Sequence, residues 1–333
     1  MIEALERYGP TRPMPALIEE LNNLYHEHEA ASYDATHPEI FEQLPGLWRE
    51  MFAQLERLRG SNQNATDKLR ILDFGCGTGF AARQCLERFG KRVERIVCFD
   101  PSESMIERCQ ERLAEWRHQV EYVTRSNELD EYSDFNLLVT NSVLHHLLGP
   151  VVAIRDLEAL LSPNAVWLCG HEPSRRFVSN SQCHALLNAY RKRDRWQKVL
   201  SPVRSARRLL RWLGLAELPE DYAARRAFER SIFMRRPPAR LVSQLVDFHV
   251  VTSERELGEA KGLDFRALQV AFTGAWDLTW HRTYSFLGPY YSGRLPAQWR
   301  ERADSLAAKY PDDGANSCLV WRRSRPAEGC RHD

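Results

Sequence analysis

Nine consecutive residues constrain this chain more than any others: Ile71-Leu72-Asp73-Phe74-Gly75-Cys76-Gly77-Thr78-Gly79. Leu69, Ile71, Leu72 and Phe74 form an apolar run that reads as a buried strand. Three glycines at alternate positions follow it, and a helical pattern then runs from Phe80 to about Phe89. A second apolar run, Val93 to Phe99, ends in Asp100. A strand, a glycine turn, a helix and a second strand closed by a carboxylate make a unit that holds a nucleoside-bearing cofactor. The glycines let the backbone come close to a ligand with no Cβ in the way. The helix N-terminus offers unpaired N–H groups and the positive end of its dipole. Asp100 can accept both ribose hydroxyls.

A dinucleotide fingerprint requires a small residue at the third position of G-x-G-x-x-G/A, and here that position is Phe80. The pattern Asp-x-Gly-x-Gly-x-Gly instead resembles the first motif of class I S-adenosylmethionine-dependent methyltransferases. That resemblance implies that Asp73 helps place the methionine ammonium, that Gly75, Cys76 and Gly77 line the turn, and that Asp100 holds the ribose. It places Pro101 and Met105 beside the adenine. An acid is common in the family after the third strand, but Arg125-Ser126-Asn127 stands there, leaving Ser126 or Asn127 to meet the adenine. Asn141, at the end of the fourth strand, and Tyr33, on an N-terminal lid that also carries Tyr25, complete the implied cofactor set. The resemblance covers residues 62–173 and 249–325.

The architecture expected is α/β: a doubly wound, mostly parallel, seven-stranded sheet in the Rossmann-like methyltransferase arrangement, with N-terminal helices and a helical insertion. Residues 1–61 read as a helical lid, with leucines 17, 21 and 24 at helical spacing and a second apolar stripe from Phe41 to Leu55. Strands are expected at 120–124, 135–143 and 165–170, with a helix from about Val151 to Leu161. Residues 174–248 read as basic helices broken by prolines. A capping box, Ser253 with Glu256, starts a short helix. Phe265 to Thr273 reads as the sixth strand and Ser317 to Arg322 as the seventh, with no helix between them. The ring-rich stretch 274–316 reads as a second insertion.

Charge is unevenly spread. From Ser174 to Arg240 there are 17 Lys and Arg against 5 Asp and Glu, a balance of +12, while the whole chain carries +1, which leaves −11 elsewhere. The basic segment suits a solvated cap, an anionic or membrane-surface contact in which Trp212 and Leu213 touch an apolar part, or a nucleic-acid track. No run of 18 apolar residues occurs, and Met1 to Glu6 lacks the form of a signal peptide. The eight cysteines show no CxxC spacing and read as reduced thiols of a cytoplasmic protein, neither a disulfide frame nor a zinc site. His26, His28 and His37 sit at spacings that send them to different helix faces, so no metal is expected from them.

The fourth strand runs into Asn141-Ser142-Val143-Leu144-His145-His146-Leu147, which resembles the "LHH" ending of small-molecule members of the family. The Asn-Pro-Pro-aromatic motif of enzymes acting on flipped DNA bases is missing. His146, His171, His145 and Glu172 all fall on the sheet rim where ligands bind. Each is an expected proton acceptor or orienting group. The reading that follows is methyl transfer to a small or lipid-like hydrophobic acceptor, at oxygen. The alternatives are an enzyme modifying tRNA or another nucleic acid, and a non-catalytic binding module.

Overall fold

The computed structural model describes residues 2–60, 68–199, 217–246, 262–288 and 295–324. The chain opens with helices α1 (Ile2–Glu6), α2 (Met14–Glu29), α3 (Tyr33–Thr36), α4 (Pro38–Glu42) and α5 (Leu44–Arg59). Alternation then begins: β1 (Leu69–Phe74), α6 (Phe80–Phe89), β2 (Val93–Phe99), α7 (Glu103–Arg112), β3 (Val120–Val123), β4 (Phe135–Asn141), α8 (Pro150–Leu157) and β5 (Leu161–Pro173). Helices α9 (Arg175–Ser179), α10 (Ser181–Val199), α11 (Pro219–Glu229), α12 (Ala239–Val246) and α13 (Phe265–Ala271) follow. The chain closes with β6 (Trp276–Tyr284), α14 (Ala297–Lys309) and β7 (Asn316–Arg323).

The strands form one seven-stranded sheet in the order β3-β2-β1-β4-β5-β7-β6. All pairs from β3 to β5 are parallel, and β7 runs antiparallel to both β5 and β6. The chain reverses its lateral progression between β1 and β4, so a crevice opens at the carboxyl ends of these neighbours. This is the expected doubly wound sheet.

The central strands are apolar on both faces, as a sheet covered by helices on each side requires. One face carries Trp48, Met51 and Phe52 of α5, Phe80 and Leu86 of α6 and Ile106 of α7, packed on Ile71, Ile96 and Leu137. The other carries Ile154 and Leu157 of α8 and Phe265 and Leu268 of α13, packed on Leu72, Leu138 and Trp167. The N-terminal helices therefore divide their work. α5 is part of the sheet core, whereas Leu17, Leu21 and Leu24 of α2 pack with Ala223 and Ala227 of α11 and Val242 and Leu245 of α12.

Two expectations fail at the carboxyl end. Residues 265–271 form α13, not the sixth strand, and α14 lies between the last two strands. Asp264 explains the first: its carboxylate accepts the N–H groups of Arg266 and Ala267 at 3.1 Å each and so caps a helix. Phe265, Leu268 and Phe272 are buried at helical spacing, while Val270 is 75% exposed. The sixth strand is β6, drawn from the ring-rich stretch. The capping box at 253–256 and the pair Trp212-Leu213 lie outside the described residues. Among the described residues, no helix is long and apolar enough to cross a membrane.

Candidate functional site

A cavity of about 810 Å³ opens over the carboxyl ends of β1, β2 and β4, within the range of about 300–1,000 Å³ usual for small-molecule pockets. Its floor is the glycine turn. Gly75 and Gly77 sit at φ +71° and +52°, in the left-handed region where glycine alone carries no penalty. The N–H groups of Gly75 and Cys76 donate to the Phe99 carbonyl at 2.8 and 2.9 Å, fixing the turn against the end of β2. A Cβ on Gly75 would lie 2.6 Å from Val143 Cγ2, so the turn is pressed against the segment after β4. A Cβ on Gly77 would meet no protein atom within 4 Å: that side is open to the cavity.

Two acids flank the turn. Asp100 accepts the N–H of Gly77 and that of Ser102, each at 2.9 Å. Burial raises its carboxyl above the ordinary range, opposed by those two N–H groups. Asp73 is fully buried; one oxygen accepts the Ala82 N–H at 2.9 Å, while Oδ1 meets no donor. Burial pushes its carboxyl well up. A buried carboxylate with an orphaned oxygen is costly unless a donor arrives. A cation with N–H groups, seated over the turn, would supply one.

The lid is tied to the turn from above. Asp34 of α3 accepts the Thr78 hydroxyl at 3.1 Å and pairs with Arg112 of α7. This holds Tyr33 over the cavity, next to His37 at 4.5 Å between ring centroids. His26 of α2 also lines the cavity and stands edge-on to His146 at 5.5 Å. Glu29 lies behind them, with His37 Nε2 at 3.0 Å and His26 Nδ1 at 3.6 Å. His28 turns away to pack on Tyr222, at 4.9 Å between ring centroids.

All ten residues assigned to the cofactor line this one cavity: Asp73, Gly75, Cys76, Gly77, Asp100, Pro101, Met105, Ser126, Asn141 and Tyr33. Asn141 also accepts the indole N–H of Trp48 at 3.2 Å, which links it to α5. The four residues expected to act on the proton part company. Only His146 lines the cavity. Glu172 is fully buried and accepts the N–H groups of Val143 and Leu144 at 2.8 and 2.9 Å, while His145 Nδ1 donates to it at 2.9 Å. The pair holds the backbone of the "LHH" turn. His171 lies further along β5 at φ +56°, with Nδ1 2.5 Å from the Tyr284 hydroxyl, and is not among the lining residues.

Sequence reasoning missed Asn22, His26, Asp34 and Thr78, because their roles arise from helices far away in the chain. The described rings of the stretch 274–316 build cores: Trp276 packs on Trp167, and Phe286 and Trp299 pack with Leu186 and Leu187 of α10.

A family model described as "Methyltransferase domain" matches residues 72–167, from β1 into β5. Residues 72–167 are thus a methyltransferase domain of the class I, S-adenosylmethionine-dependent kind. The chain is similar to a malonyl-[acyl-carrier protein] O-methyltransferase of Halalkalibacterium halodurans, 27% identical over 39% of this chain and 49% of that protein. It is also similar to a ubiquinone biosynthesis O-methyltransferase of Bradyrhizobium diazoefficiens, 29% identical over 31% of this chain and 40% of that one. The chain thus spans less than half the length of these curated relatives. Among solved structures, the plantazolicin methyltransferase BpumL in complex with SAH overlaps 94% of this chain and 99% of its own, at 11% identity and a TM-score of 0.43. The residues present fit the methyltransferase cofactor: the open face of Gly77, the orphaned Asp73 oxygen and the Asp100 carboxylate are where its amino-acid and ribose ends would be held.

Proposed function

We propose that this methyltransferase methylates a neutral small or lipid-like molecule at an oxygen, with His146 as the proton acceptor. The observation that carries this reading is the fixed tautomer of His146. Its Nδ1 lies 2.9 Å from the Val246 carbonyl oxygen and 3.1 Å from Asn22 Oδ1. A carbonyl can only accept, so the neutral ring keeps its proton on Nδ1 and its lone pair on Nε2. That is the form in which an imidazole takes a proton from a hydroxyl, a contribution of about 10²–10⁴-fold to rate. His145 and Glu172 act behind it, setting the backbone from which His146 projects.

S-adenosylmethionine, when bound, supplies an activated methyl group on a sulfonium. The chain supplies position and exclusion of water. Alignment of acceptor and methyl carbon can account for roughly 7–11 kcal/mol of barrier. Ile18, Leu147, Leu148 and Val152 give the far wall an apolar character.

The charge of the lining narrows the acceptor. Glu19, Asp73, Asp100 and Asp156 line the cavity, and no Lys or Arg does so among the described residues. Such a field favours a cationic cofactor and opposes a carboxylate or phosphate on the acceptor. The nucleic-acid reading has less support. In the described part of the basic segment, Arg225 pairs with Glu217 and Glu229, Arg230 with Glu27 and Arg176 with Asp313. These pairs leave fewer charges for phosphates.

Methyl-labelled S-adenosylmethionine offered with a panel of neutral alcohols and phenols, and with matched carboxylic acids, tests the proposal. Label is expected on neutral hydroxyls, and His146→Ala is expected to lose transfer about 100-fold or more while still binding the cofactor. Label confined to the acids, or transfer undiminished in His146→Ala, would contradict it.

A further inference from the structure

Three cysteines from three separate elements meet beneath the glycine turn. Cys76 stands in the turn, Cys98 is the penultimate residue of β2, and Cys109 lies within α7. Their sulfur atoms all lie within 4.8 Å of one another. Cys76 is buried, and Cys98 and Cys109 are sealed off completely. Among the described residues, no other three His, Cys, Asp or Glu side chains converge in this way.

The neighbourhood is shaped around the sulfurs. A Cβ on Gly79 would lie 2.7 Å from Cys109 Sγ, so the turn leaves room for that sulfur only because residue 79 has no side chain. The same core contains Phe80, Ile96, Ile106 and Leu113. A tetrahedral zinc–thiolate site, with Zn–S of about 2.3 Å, sets its sulfurs about 3.8 Å apart. Closing this triangle onto an ion therefore needs side-chain shifts of about 1 Å or less. Thiolates in an apolar pocket select soft d¹⁰ ions over hard ones.

We propose that Cys76, Cys98 and Cys109 form a three-thiolate site for a thiophilic d¹⁰ cation of the Zn²⁺ and Cd²⁺ class, seated behind the cofactor cavity. Binding forms three metal–sulfur bonds and releases the three thiol protons to solvent. The ion joins the glycine turn, β2 and α7, the three elements that frame the adenosyl end of the cavity. The site adjoins the cofactor cavity through Cys76, which lines it, but no sulfur in it is given a step in methyl transfer.

The test uses the full-length chain under reducing conditions, titrated with Cd²⁺ and followed by thiolate-to-metal charge-transfer absorption in the ultraviolet. One equivalent is expected to bind, with an intensity corresponding to three thiolates. Cys76→Ser, Cys98→Ser and Cys109→Ser should each weaken binding at least 100-fold, while Cys183→Ser and Cys330→Ser should not. X-ray absorption on the wild-type cadmium adduct counts the sulfur ligands even if a variant fails to fold, and three are expected. Absence of saturable binding, one or two sulfurs at the ion, or equal binding by all three variants would overturn the proposal.

Discussion

His145 Nδ1 donates to Glu172 Oε2 at 2.9 Å, and the same buried carboxylate receives the N–H groups of Val143 and Leu144. One side chain on β5 thus fixes three consecutive residues after β4. The turn so fixed presents Val143 to Gly75 on one side and His146 to the cavity on the other.

Glu172→Ala should therefore act first on stability. It leaves several buried N–H groups unsatisfied, and removing one partner of a buried pair costs about 3–5 kcal/mol. Urea unfolding is expected to show a loss of that order. Glu172→Gln, which keeps one acceptor oxygen, should lose less. A change below about 1 kcal/mol in Glu172→Ala would mean that the turn is held by other contacts.

Gly75 and Gly77 should respond differently to a single methyl group. Gly75→Ala places a carbon 2.6 Å from Val143 Cγ2, so folding stability and cofactor binding should fall together. Gly77→Ala meets no protein atom, and only the left-handed backbone, at about 1–2 kcal/mol, weighs on stability. Its larger effect should fall on cofactor affinity. Thermal melts with calorimetric titration of both variants separate the two cases.

Glu29 gives the lid an acid-sensitive anchor. Burial pushes its carboxyl up, but the close approach of His26, the hydrogen bond with His37 and the charges of both rings outweigh burial and hold it at about 2, against an ordinary 4.5. A lowered folded-state value means that the ionised form stabilises the fold. That contribution is complete above pH 4.5 and is lost as pH falls through about 2. It amounts to at most about 3–4 kcal/mol. The stability gap between wild type and Glu29→Gln should shrink steadily over that interval in acid titrations followed by urea unfolding.

The ends of α6 and β2 were legible because each is bounded by a glycine or a charge and carries one clear period. The turn and its two acids were legible for the same reason: the backbone conformation demands glycine, and the strand order demands the second acid. Residues 265–271 were misread because Leu268, Val270 and Phe272 resemble an alternating run, although Asp264 before them was a helix signal. The lid contacts of Asp34, His26 and Asn22 carry no local mark. They exist only because α2 and α3 fold back over residues 44 to 124 positions away. Cys76, Cys98 and Cys109 are similarly invisible in a chain without CxxC spacing.

Calorimetric titration with S-adenosylmethionine, with a nicotinamide dinucleotide as comparator, tests the central claim most directly. One equivalent of S-adenosylmethionine should bind, and Asp100→Ala should weaken it about 10- to 100-fold, the loss expected when a hydrogen bond to a charged group worth about 1.5–3 kcal/mol is removed. No saturable binding of S-adenosylmethionine, or preference for the dinucleotide, would contradict the account.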